Sequence, residues 1–317
     1  TLSVSSAASD VYKRQALLPF KNEEHLLPTY LSNVQPVCDE IIAIDDNSTD
    51  NSRQIMEDAG VIVKEYEDTE KLKGGFSAGL MRQNLFNYAR ESNGTHFVCL
   101  DADETFTSNF VPIARDIMSQ LNIGEKVTMQ WLALWKSSTH YRNDYTVWSN
   151  NFKDFIVCDD PSYEYDANRF LCEARTLGPN NDNTMRRLEV EHGAVLHYQF
   201  TFYNSFHLKQ SWYRVGELVQ RGQSAIRDIN NKYSITLLEN NVGMTEMPEE
   251  WIENIPLPDI PNFDPEWNEK YFIKKDLLTD IYKHFDEYGA EYFEQLDIWH
   301  VPQLRNYFIK QTGRTPR

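Results

Sequence analysis

Long hydrophobic runs are missing from this chain of 317 residues. No stretch approaches the ~20 apolar residues that a membrane-spanning helix needs, and a mean hydropathy of -0.59 agrees. Basic residues are also short, with 31 Lys and Arg against 48 Asp and Glu and a formal net charge of -17. Nucleic acid and anionic membrane are normally met by the opposite imbalance, so neither is expected as the main partner. An anionic small molecule held through a metal stays open. The four cysteines (Cys38, Cys99, Cys158 and Cys172) lie far apart, with no C-x-x-C pair. That argues for buried free thiols in a reducing compartment, and hence a cytoplasmic location, over a disulfide framework. What the chain does have is 41% hydrophobic and 13% aromatic residues, the make-up of a folded globular protein.

Residues 1–15 are Ser/Ala-rich, aperiodic and without a signal-peptide core. They resemble a translated adapter and are expected to be a non-native or disordered leader. From residue 16 to about 121, strands and helices alternate. Strands are expected at 16–18, 40–44, 61–63 and 96–100, with helices at 23–33, 50–59 (closed by Gly60) and 76–90. Such alternation indicates parallel βαβ units in an open, doubly wound sheet. Beyond it, strands are expected at 126–136, 147–158 and 194–200, a loop-like stretch at 159–183 and a helix at 204–222. A core domain over 16–245 would be followed, over 246–317, by a Pro-rich linker and a C-terminal helical extension.

The chemistry concentrates in four stations. They are Pro19-Phe20-Lys21-Asn22-Glu23-Glu24, Asp45-Asp46-Asn47-Ser48-Thr49-Asp50-Asn51-Ser52, Phe76-Ser77 with Arg82-Gln83-Asn84, and Asp101-Ala102-Asp103-Glu104. Each is expected at one edge of the sheet, where loops from separate strands converge into a ligand crevice. Three carboxylates in the last four residues repel one another unless a cation, a proton or solvent relieves them, and a divalent metal suits that place.

Taken as a set, KNEE, DEIIAIDDNSTDNS, FS-then-Arg and LDADE resemble the family-2-type inverting glycosyltransferases of the GT-A fold, in the subgroup whose metal motif reads DADE. The resemblance covers residues 16 to about 106 and implies a Rossmann-like, mostly parallel sheet flanked by helices. It implies that Pro19, Phe20, Asn22, Glu23 and Asp46 hold the base and ribose of a nucleotide-sugar, with Arg82 and Ala102 beside its diphosphate. Asp103, with Asp101, would bind Mg²⁺ or Mn²⁺. A sugar would then pass, with inversion, to an acceptor hydroxyl on a saccharide, lipid-linked glycan or other molecule, placing the protein in the cytoplasm or peripherally at the inner membrane face. A metal neutralises charge on a departing diphosphate, and inversion needs a general base for the acceptor proton.

Other readings compete residue by residue. Thr49 and Asp50 are typical helix-capping residues, Glu23 and Glu24 suit a helix's first turn, and Arg82 could pair with an acidic neighbour. Asp101 to Thr105 also imitates the D-x-D-x-T signature of haloacid-dehalogenase-type phosphatases, with Asp101 as nucleophile. That reading leaves KNEE and DDNSTDNS unexplained. In the second half, His197 is a candidate third metal ligand. Asp160, after a strand, is the first choice for the base, ahead of Asp159, Glu173, Glu189 and Glu191. Lys209 to Tyr213, with Glu217, could line an acceptor groove, although core packing suits Trp212 better. If no base is present, the chain would be a nucleotide-sugar-binding module without turnover.

Overall fold

A computed structural model describes residues 12–66, 78–144, 149–165, 175–179, 184–234, 242–259 and 275–317. Its first strand, β1 (Arg14–Phe20), starts two residues inside the stretch set aside as a leader. Gln15 is fully buried there and pairs with Glu40 and Phe97, so strand geometry reaches back past Ala16. The next elements are α1 (Leu27–Val34), β2 (Glu40–Asp45), α2 (Ser52–Asp58), β3 (Ile62–Glu65), α3 (Ala78–Glu91) and β4 (His96–Val98). α1 begins later than expected because the Glu23 carbonyl first receives the amides of Leu26 and Leu27 in a turn. Gly60 closes α2 with φ 77°, the left-handed geometry glycine tolerates best. Phe76 and Ser77 lie outside the described residues.

The chain continues through β5 (Glu104–Phe106), α4 (Val111–Met118), β6 (Lys126–Ala133), β7 (His140–Arg142), β8 (Phe152–Cys158), β9 (Met185–Arg187) and β10 (Val195–His197). The principal sheet runs β3-β2-β1-β4-β8-β6-β10-β5, with β9 on β6. Its first four strands are parallel, and β8 enters antiparallel to both β4 and β6. The result is a mixed α/β sheet. The expected strand over 194–200 gives way after His197 to a 3₁₀ turn, Tyr198–Phe200, and that over 147–158 is strand from Phe152 on.

α5 (Tyr203–Arg221) follows, then α6 (Ile226–Lys232), β11 (Met244–Glu246) on β7, α7 (Glu249–Ile252), α8 (Asp276–Tyr288) and α9 (Pro302–Thr312). One apolar core lies between the sheet and α1, with Leu18, Tyr30, Val98 and Phe106 buried in it. Another joins Leu208, Val215 and Leu218 of α5 to Ile281 and Phe285 of α8 and to Phe308 of α9. The C-terminal helices therefore share a core with α5, across the boundary expected at residue 245. Trp212 and Tyr213 pack against this second core, and Glu217 is held by Tyr233, Lys232 and Arg221. Cys38, Cys99 and Cys158 are buried free thiols, and Cys172 lies outside the described residues.

Candidate active site

The loops leaving β1 and β2 are laced together. Asn22 takes up a left-handed conformation, φ 53°, which a short polar side chain tolerates. Its amide donates to Ser48 Oγ at 3.1 Å, and its Oδ1 accepts from the Thr49 amide at 2.7 Å. The Glu23 and Glu24 amides donate to Ser52 Oγ at 2.7 Å and Asp50 Oδ2 at 3.2 Å. Asp50 Oδ1 also accepts from the Ser52 amide at the start of α2. Asn22, Ser48, Thr49 and Asp50 are therefore employed in building the loops.

Asp46 is tied back by its amide to the carbonyl of Phe20 at 2.9 Å, and Lys21 Nζ stands 3.5 Å from its carboxylate. Burial raises the Asp46 pKa despite Lys21. Pro19 sits opposite Ile44 in the parallel register. The two stations thus form one continuous wall at the carboxyl edge of the sheet.

β4 delivers the acidic motif to the same edge. Asp101 accepts from Arg82 at 2.7 Å and is also held by Arg175. These two guanidiniums keep its carboxyl far below the usual range although burial opposes them. Ala102 is buried beneath. Glu104 is wholly buried, with Oε1 accepting from Trp131 Nε1 at 2.7 Å and from Arg175 at 2.5 Å. Its Oε2 accepts from the Asp101 amide. Burial still pushes its pKa up to about 7.

Asp103 faces the other way, toward Lys209 Nζ at 3.1 Å and His197 Nε2 at 3.5 Å, both on Oδ2. The carboxylates of the motif are met by side-chain cations: Arg82 and Arg175 on Asp101, Arg175 on Glu104 and Lys209 on Asp103.

Strand register explains how His197 arrives. β10 pairs antiparallel with β5 so that His197 stands opposite Glu104. The Tyr198 amide then donates to the Asp103 carbonyl at 2.8 Å. The imidazole stacks on Trp131 with centroids 4.0 Å apart. Burial lowers its pKa to about 4, which leaves it neutral at neutral pH and able to offer a lone pair. One donor atom each from Asp103, Glu104 and His197 lies within 4.8 Å of the others. Two hard carboxylates and a neutral imidazole are a donor set that fits a divalent ion such as Mg²⁺ or Mn²⁺. Asp101 is turned from this cluster toward its arginines.

The structure does not bring Asp160 to the site. β8 runs antiparallel to β4, with Cys158 opposite His96, so residues after β8 emerge at the amino end of β4. The Asp159 amide reaches the Thr95 carbonyl there, and its carboxylate pairs with Arg90. Asp160 Oδ1 accepts from the Ser162 amide in the same turn. A loop after a strand is on the catalytic edge only if that strand runs with its neighbours, and β8 does not. Glu189 and Glu191 precede β10 and belong to that far edge as well. Glu173 lies outside the described residues.

Sequence reasoning missed Arg175 and left Glu104 without a role. Glu104 was visible as the last letter of its motif. Arg175 lies 71 residues beyond it in an irregular segment with no local signal, and the unrelieved negative charge was the one hint.

Residues 16–123, about a third of the chain, match the sequence profile of "Glycosyl transferase family 2". That segment is similar to family 2 glycosyltransferases. It spans the wall formed by β1 and β2, the helix carrying Arg82 and the whole acidic motif. No curated protein matches the chain. Among solved structures, glucosyl-3-phosphoglycerate synthase from Mycobacterium tuberculosis with Mn²⁺, UDP and glucosyl-3-phosphoglycerate is 20% identical. The alignment covers 41% of this chain and 47% of that one, with a TM-score of 0.29. The same enzyme with Mn²⁺ and UDP-glucose is 20% identical over 39% and 44%, with a TM-score of 0.28. The match thus spans less than half the length of those chains. Among the described residues no helix is long and apolar enough to cross a membrane.

Proposed function

We propose that the chain transfers a sugar from a nucleotide-sugar to an acceptor hydroxyl, with inversion and with a divalent ion at the diphosphate. The observation that carries this reading is the grouping of Asp103, Glu104 and His197 at the edge where the loops after β1 and β2 form a wall. In it, Asp46 and Glu23 accept hydrogen bonds from ribose or base, as carboxylates do. Pro19, Phe20 and Asn22 shape that wall. Asp103 and His197 would hold the ion beside Glu104, and when bound it would supply Lewis-acid neutralisation of the leaving diphosphate. Asp101 keeps Arg82 and Arg175 in position at the same edge, where guanidiniums suit phosphate oxygens. Lipid-linked or other glycans belong to the acceptor class this reading allows.

A panel of UDP, GDP and dTDP, each with and without Mn²⁺, tests the reading by thermal shift. A metal-dependent rise is expected with one base. Asp103→Ala and Asp103→Asn should abolish it while the circular dichroism spectrum is retained, and transfer should fall at least about 100-fold. No metal-dependent shift with any nucleotide in the parent protein would sink the proposal.

A second reading, a nucleotide-sugar-binding module without turnover, is favoured by the placement of Asp160 at the opposite end of β4. Donor binding without transfer or hydrolysis would establish it. The phosphatase reading fares worse, since the carboxylate it needs as nucleophile is engaged by two arginines.

A further inference from the structure

Lys209 lies on α5, a helix outside the segment that matches the family, yet its ammonium sits on Asp103 Oδ2 at 3.1 Å. The same oxygen faces His197 Nε2 at 3.5 Å. Of the cations that meet the acidic motif, Arg82 and Arg175 bind Asp101 and Glu104. Among the described residues, Lys209 is a cation on the carboxylate that His197 shares. Its side chain is 20% exposed and Asp103 8%, so solvent screens the pair poorly. Lys209 also lines a cavity together with Asp103, Glu23, Gln199 and Ser205. This small cavity beside the ammonium is bordered also by His25, Leu26, Phe202 and Phe206, and the ammonium rides on a flexible four-carbon stem.

We propose that Lys209 is a built-in competitor for the divalent ion at Asp103, so that a nucleotide diphosphate, by drawing the ammonium to itself, opens this carboxylate to the metal. The inference rests on the donor-site reading above and adds an order to it. A dication and an ammonium repel one another across a single buried carboxylate, and each weakens the other's hold on Asp103. A diphosphate in the site offers the ammonium another partner. Metal and nucleotide then bind with positive coupling, and Lys209 is the positioning residue that links them. The linkage is reciprocal by thermodynamic necessity.

The test is a direct Mn²⁺ titration, reading free Mn²⁺ by electron paramagnetic resonance, on the parent chain and on Lys209→Met and Lys209→Arg. Each is measured with and without the nucleoside diphosphate chosen by the panel. The parent should bind Mn²⁺ weakly alone and more tightly with nucleotide. Lys209→Met should bind Mn²⁺ alone about 10-fold more tightly than the parent, within the usual range of such couplings, and lose most of the nucleotide enhancement. Lys209→Arg keeps the charge and should stay weak without nucleotide, which controls for simple loss of packing. If the parent shows nucleotide-enhanced Mn²⁺ binding but Lys209→Met binds Mn²⁺ alone no tighter than the parent, the competition is refuted and the donor site stands. If no protein binds Mn²⁺ under any condition, the donor-site reading falls and takes this inference with it.

Discussion

At the scale of single residues, the acidic motif divides its labour. Asp101, Asp103 and Glu104 are neighbours in sequence, yet each meets a different set of partners. Asp101 is the anchor of two guanidiniums, Glu104 is a wholly buried acceptor for Trp131 and Arg175, and Asp103 turns toward His197 and Lys209. The sequence made Asp103 and His197 legible as a pair because a strand histidine and a motif carboxylate are both chemically conspicuous. It could not show that three long side chains from 82, 175 and 209 would neutralise the motif, because their convergence depends on packing alone. Asp160 went astray for a related reason, since strand direction is not written in the local sequence. Its placement carries a prediction: Asp160→Asn should leave transfer within about twofold of the parent, surface substitutions away from special features having small effects. A loss of 100-fold or more in a steady-state assay would return Asp160 to the site.

At the scale of elements, the parallel half of the sheet was the legible part. The β1–β4 unit follows apolar runs separated by amphipathic helices, and its turns carry their own chemistry. Gly60 is the clearest case. A glycine just past α2 implies a left-handed residue there, and the observed φ is 77°. An added Cβ would meet nothing within 4 Å, so the cost of substitution is purely conformational. Gly60→Ala should therefore lower stability by about 1 kcal/mol, measured from urea unfolding, with donor binding unaffected. The antiparallel half was harder to read. β8 pairs with β4 and β5 with β10 over long sequence separations, and short strands such as Val195–His197 offer too few residues for alternation to show.

At the scale of the whole molecule, α5 joins the two halves. It presents Lys209 to the acidic motif and Leu208, Val215 and Leu218 to the C-terminal helices. Where these parts meet, His207 on α5 and His300 share a hydrogen bond of 3.0 Å. Burial lowers the pKa of His207 to about 3, with His300, Lys136 and Arg214 adding to it, and that of His300 to about 4, with Arg214 adding to it. Both values lie below that of an unfolded histidine, about 6.5. The unfolded chain thus takes up more protons as pH falls below about 6.5. The stability that these neutral rings contribute is complete above that pH and is lost on acidification toward about 4. Each tenfold difference in proton affinity is worth about 1.4 kcal/mol. The urea midpoint should drop steadily between about pH 7 and pH 5, and His300→Gln should flatten the drop. An unchanged slope in that variant would remove the pair from the account.

The pairing of His197 with Glu104 also has a temporal side. The two residues are 93 positions apart, and a single three-residue strand docking against β5 brings them together. Contacts that close so long a loop are slow to form. The wall after β1 and β2, built from neighbouring loops of the first 52 residues, can take shape before Asp103, Glu104 and His197 are together. A chain emerging in order would carry Asp103 and Glu104 long before it carried His197 or Lys209. The segment that matches the family profile, residues 16–123, thus holds Asp103 and Glu104, while His197 and Lys209 come from the chain beyond it.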